Sequence, residues 1–473
     1  MSRDLLPLRR LVGAGLLLVS GCAVGPDYQR PAVTTPPAFT EAGPWKEAQP
    51  MDSLPKAEWW KVFQDPALDQ LETRAVQASP TLQAALDRFR EALAAARATE
   101  GSLYPAVGVN PSASRQLYSG NRQAEFPSTR FAYTTNSFDL PLDLSYEVDL
   151  FGGLRRAAEN ARDLAQAQGA AYQNTLLALE AGVAQNYFTL QSLTTQRDLL
   201  VKDIALLGDA LDLVRKLRRG GANSDLDVYQ AETELTTVQS SAVATDQAIA
   251  AQRHALAVLV GQPPEGFAIE TPPVGHQVPA VPVGLPSDLL ERRPDVATAE
   301  RTLAAANARI GVAKAAFFPV IGLTAFAGAN SSDLNNLLTW GSREWAVGPQ
   351  ISAPLFNGGT NLANYRQAKA AYDEARSNYR QQVLVAFQEV EDGLSDLRFL
   401  ADQTGLLEQS VASASNATRL STLRYKAGLV SYIEVIDSQR TQLASELSLT
   451  QTRAARLTAT VLLVRALGGG WAP

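Results

Sequence analysis

The placement of proline constrains this chain most. None occurs between Pro141 and Pro263, and none between Pro354 and the terminal Pro473. Proline removes an amide donor and clashes with the preceding helical turn, so long proline-free windows are where long helices can run. Inside the first window Leu200, Ile204, Leu207, Leu211 and Val214 recur in alternating steps of four and three. Val390, Leu394 and Leu397 do the same in the second. That spacing is a coiled-coil seam. It predicts helices over 154–218 and 360–426, each roughly 100 Å long at ~1.5 Å per residue. Partner helices at 224–261 and 431–468 follow glycine-containing breaks, which makes two long helical hairpins.

The two halves repeat each other. Pro80 and Pro294, Pro105 and Pro319, and Gly108 and Gly322 are each 214 residues apart. Further on, Val183 and Val390, Tyr187 and Leu394, Leu190 and Leu397, and Gly221 and Gly428 are each 207 apart. A constant offset over many positions marks a duplication. The change of offset puts a length difference, and therefore loops, between residues 108 and 183.

That interval holds the clearest strand signal, FDLPLDLSYEVDL at 138–150. Phe138, Leu140, Leu142, Leu144, Tyr146, Val148 and Leu150 fall on one face, and Asp139, Asp143, Ser145, Glu147 and Asp149 on the other. The repeat counterpart is EWAVGPQISAPLF, and weaker strands precede each at 103–118 and 316–329. Apolar outside and polar inside is the pattern of a membrane β-barrel; a soluble sandwich face is the alternative. Four strands cannot close a barrel, and open edges are not tolerated in lipid, so several chains would have to share one. On this reading Asp139, Asp143, Glu147 and Asp149 line the lumen and favour cations. Pro141, Pro349 and Pro354 are expected near strand ends or edges, where a missing donor matters least.

The only cysteine, Cys22, ends a leader with a basic start, a short apolar run and small residues. Val19-Ser20-Gly21-Cys22 resembles a bacterial lipobox, which makes Cys22 the acylated first residue of the mature chain; an ordinary leader with an incidental cysteine is the alternative. Ala23 at the next position points to sorting to the outer membrane. Residues 23–57 are proline-rich and aperiodic, and read as an extended tether. The net charge of −6 becomes −8 once Arg3, Asp4, Arg9 and Arg10 leave with the leader, which argues against a nucleic-acid partner. His254 and His276 have no neighbours at metal-ligand spacing, and GxxxxGK[ST] is absent. No enzymatic chemistry, no metal and no cofactor beyond a covalent lipid on Cys22 is expected.

GLPSDLLERRPDVATAERTLAAANARIGVAKAAFFPVIGLTAFAG, residues 284–328, resembles the hallmark segment of the outer membrane factor family, in its lipoprotein branch serving RND-type pumps. Leu285, Pro286, Arg292, Arg293, Pro294, Asp295, Ala299 and Glu300 carry the resemblance. Arg-Arg-Pro-Asp also suits a helix start, so this motif reads as structural. The resemblance implies a mainly α protein with a membrane β-barrel: a homotrimer whose 12-stranded barrel continues into a periplasmic α-helical barrel. It implies a passive exit channel in the outer membrane, lipid-anchored and extending into the periplasm. The implied partners are a periplasmic membrane fusion (adaptor) protein, an inner membrane RND pump and outer membrane lipid. An exit duct for ABC-driven secretion and a periplasmic coiled-coil structural or adaptor lipoprotein remain as alternatives.

The expected organisation is a leader at 1–21, a tether at 22–57, a first repeat at 58–262, a proline-rich equatorial linker at 263–293 and a second repeat at 294–473. The strand hairpins fall at 103–150 and 316–356, and the helical hairpins at 153–261 and 359–468. At the hairpin tips Gly221 and Gly428 suit a left-handed helix end, and Ser224 and Ser431 an N-cap. Leu429 and Val430 have no reason to sit in a solvated turn. The resemblance makes Gly221, Ser224, Gly428, Leu429, Val430 and Ser431 adaptor-docking residues. It also makes Ile433 and Asp437, one helical turn apart, the periplasmic gate; from the residues alone Asp437 reads as a solvated coiled-coil position.

Overall fold

A computed structural model of the chain describes residues 23–32, 58–121, 131–274, 279 and 292–469. The leader, Cys22, Leu285, Pro286, His276 and most of the linker lie outside the described residues. After a 3-10 turn at Trp59–Phe63 come α1 (Pro66–Ala78), α2 (Pro80–Gly101), β1 (Ala106–Val109), β2 (Ser112–Tyr118) and β3 (Tyr133–Val148). The first long hairpin is α3 (Gly153–Arg219) and α4 (Asp225–Leu259). The second half runs α5 (Pro294–Ala315), β4 (Val320–Ser331), β5 (Arg343–Ser352), α6 (Thr360–Lys426) and α7 (Tyr432–Ala466). None of the described helices is long and apolar enough to cross a membrane. The chain divides into two compact units: Met1–Pro31, Arg90–Ala167 and Ala299–Asn378 form one, and Ala32–Phe89, Gln168–Thr298 and Tyr379–Pro473 the other.

The first unit holds the whole sheet, which is antiparallel throughout. β3 pairs with β1 and β2 on one side and with β4 on the other, and β4 pairs with β5. β1 and β2 are two pieces of one strand, broken at Asn110–Pro111, so each half of the duplication contributes a hairpin and both outer strands are left with an open edge. Register places Leu140, Leu142, Leu144, Tyr146 and Val148 on the same face as Val107, Val109, Ile321, Leu323, Trp345, Val347 and Ile351. Asp139, Asp143 and Glu147 share the opposite face with Asn330, Thr324 and Gln350.

The expectation that proline would keep to strand ends or edges fails for Pro141, which sits in the middle of β3 opposite Gly328. Two features accommodate it. The break between β1 and β2 lies opposite Leu140 and Pro141, where a ladder donor is missing. On the other side a Cβ on Gly328 would meet the Leu140 carbonyl oxygen at 2.4 Å and Pro141 Cα at 2.8 Å, so only glycine fits. Pro349 does lie on an outer strand, β5, and Pro354 follows its end.

A second correction concerns the tether. Its first residues are not a free extended segment but a strap packed on α5 and the start of α3. Val24 N donates to Phe151 O (2.9 Å), and Asn307 Nδ2 donates to Pro26 O (2.9 Å). Asp27 pairs with Arg156 at 2.5 Å, while Tyr28 Oη donates to Glu300 at 3.5 Å and Arg30 pairs with the same carboxylate at 3.4 Å. Glu300, Asn307 and Gly311 are seven and four residues apart on α5 and so share one face. Gly25, at φ +114°, lies so close that its Cβ would meet Gly311 Cα at 2.6 Å. Proline content alone signals an extended backbone, and hides that the partners of this segment lie far downstream, from Phe151 and Arg156 to Glu300 and Asn307.

The second unit is built on the predicted seam. Leu200, Leu207, Leu211 and Val214 of α3 are buried against Val238 and Ala231 of α4 and Val435 and Ile436 of α7. At the other end of this unit Trp59, Trp60, Leu68 and Leu71 pack with Tyr187, Phe188 and Leu190 of α3 and Val461 and Val464 of α7. Asp65 ties the short elements down. It N-caps α1 through Ala67 N (2.9 Å), with Pro66 at the first helical position, and accepts from Tyr187 Oη (2.7 Å) and Gln191 (3.2 Å).

Arg293 of the hallmark motif has a structural role of the same kind. It is buried, pairs with Asp295 and Glu389 at 2.6 Å each, and donates to Ala466 O (2.8 Å) at the end of α7. Burial alone would raise Asp295; the hydrogen bond and charge of Arg293 outweigh it and hold the carboxyl below its ordinary range.

Glu72 of α1 is fully buried, and neither carboxylate oxygen has a hydrogen-bond partner among the described residues. Burial first, and then the nearby Glu180 and Asp69, push it well above the usual carboxylate range. Such a carboxyl keeps its proton where the unfolded chain has lost it, so its stabilisation is present at low pH and is lost as pH rises through the folded value. Glu72→Met is therefore expected to raise the thermal midpoint more at pH 8 than at pH 5, by the equivalent of about 1–3 kcal/mol at the higher pH. Equal shifts at both pH values would contradict a neutral Glu72.

Candidate functional site

The two hairpin tips are built alike and finished differently. In the first, Gly221 turns at φ 78° and Ala222 N donates back to Leu217 O (2.9 Å). Ser224 and Asp227 then form a reciprocal capping box at the start of α4, and Arg218 pairs with Asp225 at 2.7 Å. In the second, Gly428 turns at φ 73°, its N donates to Tyr425 O (2.9 Å), and Leu429 N donates to Arg424 O (3.0 Å). Ser431 occupies the N-cap position of α7 with extended backbone, but its side chain makes no cap hydrogen bond. Leu429 is 70% exposed and Val430 half-buried. Asn223 Nδ2 joins the first tip to the second by donating to Tyr425 Oη (2.8 Å), and within the second tip Tyr425 and Tyr432 form a tilted ring pair.

On the first turns of α7 the helix period sorts the residues into two faces. Tyr432, Val435 and Ile436 are buried against α3 and α4, while Ile433 and Asp437 are exposed on the other side. Arg440, one turn on, donates through Nε at 2.5 Å to Glu234 of α4, itself only 5% exposed, and also feels the charge of Asp437. The Asp437 carboxylate is exposed beside Arg440 and accepts no side-chain hydrogen bond among the described residues. An isoleucine and an acid exposed on one face are what a constriction needs from each of several chains.

Among the strand acids, Asp139 accepts from Ser112 Oγ (3.0 Å) and Ser137 Oγ (3.1 Å), and also from Asn330; Asp143 accepts from Asn110 Nδ2 (3.0 Å). Asp149 does not belong with them. β3 ends at Val148, and the Asp149 carboxylate accepts from Leu154 N (3.1 Å) and Arg155 N (2.8 Å) and pairs with the Arg155 side chain. Strict alternation carried the reading one step too far, because an acid next to the start of α3 is held by the orphan donors of the helix.

Two exposed residues of the first tip were missed: Leu226 (64%) and Tyr229 (66%). The signal was available, since Leu226 stands 207 residues before Ile433 and is its duplicate. Glu234 was missed for a different reason: nothing in the sequence pairs it with Arg440, 206 residues away. His254 is exposed, and among the described residues no group of three His, Cys, Asp or Glu side chains could hold a metal ion.

The chain matches known proteins over most of its length. Residues 71–262 and 285–469 match the outer membrane efflux protein family, two segments that follow the duplication. The chain is 34% identical over 460 residues to the probable efflux pump outer membrane protein TtgC of Pseudomonas putida, covering 96% of this chain and 94% of that protein. It is 32% identical over 470 residues to the cation efflux system protein CusC of Escherichia coli, covering 98% and 99%. Among solved structures, the outer-membrane channel OprN superposes with a TM-score of 0.87 at 30% identity, covering 96% of this chain and 100% of that one. The chain belongs to the outer membrane efflux protein family. It is an efflux channel of the outer membrane.

Behind the exposed face, Asp203 of α3 meets Glu234 of α4 and Glu446 of α7. Burial first, then these two acids, push it up to about 6. A raised carboxyl contributes stability below its unfolded value and loses it as pH rises through the folded one, so the window runs from about 4 to about 6. Amide exchange in α3 around Asp203, corrected for intrinsic rates, is expected to slow several-fold between pH 7.5 and pH 5. Asp203→Asn is expected to flatten that dependence, and a steep dependence surviving in the variant would point to another group.

Proposed function

We propose that the protein is the passive exit channel of a tripartite RND-type efflux system, acting as a homotrimer anchored by an acylated Cys22. The observation that carries this reading is the sheet: two faces of opposite polarity and two open edges in one chain. Backbone groups on an open edge have no partner in lipid, and three chains of four strands close a 12-stranded wall. The helices support the same number of chains. On α6, Phe399, Leu406, Leu420 and Leu423 are half or more exposed, an apolar stripe that none of the described residues covers. The strap supports the anchor, because Ala23, the residue after Cys22 in the sequence, lies against Gly152, directly before α3.

Threefold symmetry turns Ile433 and Asp437 into rings. The isoleucines narrow and dry the aperture, while the acids favour cations. Leu429 and Val430 dock a periplasmic adaptor, which supplies the force that opens the ring on behalf of the inner membrane pump. Asp139, Asp143 and Glu147 line the wide upper lumen, where salt screens charge over ~8 Å and the bias is weak.

Two experiments test the assignments separately. In planar bilayers, Asp437→Ala is expected to raise single-channel conductance and bring the cation-to-anion permeability ratio towards one; an unchanged channel would remove Asp437 from the gate. Leu429→Asp is expected to weaken adaptor binding by about 2–3 kcal/mol, roughly 30- to 150-fold, and to abolish efflux while trimer and localisation persist. Retained efflux would show that the greasy turn serves another purpose.

A further inference from the structure

The sheet's outward face does not end in apolar residues. From Val148 to Phe138 it is continuously hydrophobic on β3, ten steps of ~3.4 Å, or ~26 Å of membrane depth at a strand tilt of about 40°. At the far end of this band, away from the start of α3, two arginines point the same way. Arg343 of β5 stands opposite Ala329 and level with Leu140, and Arg115 of β2 stands opposite Asn136. Both are exposed, and neither has a carboxylate partner among the described residues.

Arg343 is also held in place. Its Nε donates to Trp340 O (2.8 Å) and its guanidinium lies over the Trp340 ring, which is 79% exposed. The β4–β5 loop that carries the tryptophan is pinned from inside: Ser342 Oγ and Thr339 Oγ1 donate to Asn336 O (2.7 and 2.8 Å), and Asp333 caps Asn335 N at 3.0 Å. The loop's order fixes one guanidinium whose terminal nitrogens make no hydrogen bond among the described residues. A fixed planar fork at the rim of an apolar wall matches a phosphate, and an exposed indole beside it matches the face of a sugar ring.

We propose that this rim binds lipopolysaccharide of the outer leaflet, with Arg343 on a lipid A phosphate and Trp340 against the glucosamine. The proposal rests on the trimeric reading, in which β5 of one subunit meets the first strand of the next. Each seam then joins Arg343 to the partner subunit's Arg115, giving three sites per trimer. The apolar band holds the acyl chains below, so the site continues the lipid-facing surface. It binds charge where the outer leaflet is most anionic, and the bound glycolipid staples the seam between two chains.

Native mass spectrometry of delipidated protein tests this, with bisphosphorylated lipid A, dephosphorylated lipid A and phosphatidylglycerol as separate probes. The expected result is up to three bisphosphorylated lipid A adducts per trimer. Retention should fall about tenfold for the dephosphorylated form and for Arg343→Glu with Arg115→Glu, and less for Arg343→Gln alone. Equal retention of both lipid A forms, or adducts indifferent to these substitutions, would overturn the proposal. Equal retention of phosphatidylglycerol would overturn lipopolysaccharide as the source of the phosphate. The mass of the protein in the same spectra separates the two readings: a monomer refutes the trimer, whereas a trimer without phosphate dependence refutes the rim site alone.

Discussion

A backbone amide in hydrocarbon has no water to fall back on, and each group left unpaired there costs several kcal/mol. This constraint governs the chain more than any single side chain does. Its sheet meets the requirement internally for β3 and β4 and leaves it unmet along β1, β2 and β5. A short sheet with one hydrophobic face could cover that face in a soluble core. Here both Val107 on one outer strand and Val347 and Ile351 on the other are more than 60% exposed, and the opposite face carries carboxylates hydrogen-bonded along the strand. Neither face nor edge is complete in one chain, and the same deficit recurs on the outward stripe of α6.

The helical unit answers a different demand, that helices of 67 and 35 residues be held together along their length. Stiffness comes from the buried seam and from clamps at the far ends of helices, where Arg293 closes α7 and Asp65 fixes α1. Towards the tips the core continues as two small clusters, Leu200 and Leu207 with Val238 and Ala242, then Leu211 and Val214 with Ala231, Tyr432, Val435 and Ile436, and charged groups lie among them: Arg440 with Glu234, and Asp203 among other acids. Few buried contacts and titratable links are the features of segments that open at low cost. The exposed Ile433 and Asp437 ride on the turns of α7 that pack into the second of these clusters through Tyr432, Val435 and Ile436.

Much of this could be read from the residues. Proline-free windows and a four-three seam located the long helices, and the constant offset exposed the duplication, because both depend on local periodicity. The strands at 138–150 announced their two faces by alternation for the same reason. What escaped were relations between distant positions. Pro141 looked misplaced until Gly328 and the break at Asn110–Pro111 were brought beside it. The strap looked like tether because Glu300, Asn307 and Gly311 give no sign that they await Tyr28, Pro26 and Gly25. Asp149 followed the alternation in sequence but answers to helix donors in space. At the tips, Leu226 was legible through the repeat, whereas the pairing of Glu234 with Arg440 needed the fold.

The central claim is that edges open in one chain are closed by its copies. Hydrogen exchange on protein extracted from outer membranes in mild detergent addresses it directly. The account predicts that amides of β1, β2 and β5 are protected as strongly as those of β3 and β4, because every ladder is complete. Rapid exchange along those outer strands, with protection confined to β3 and β4, would contradict it.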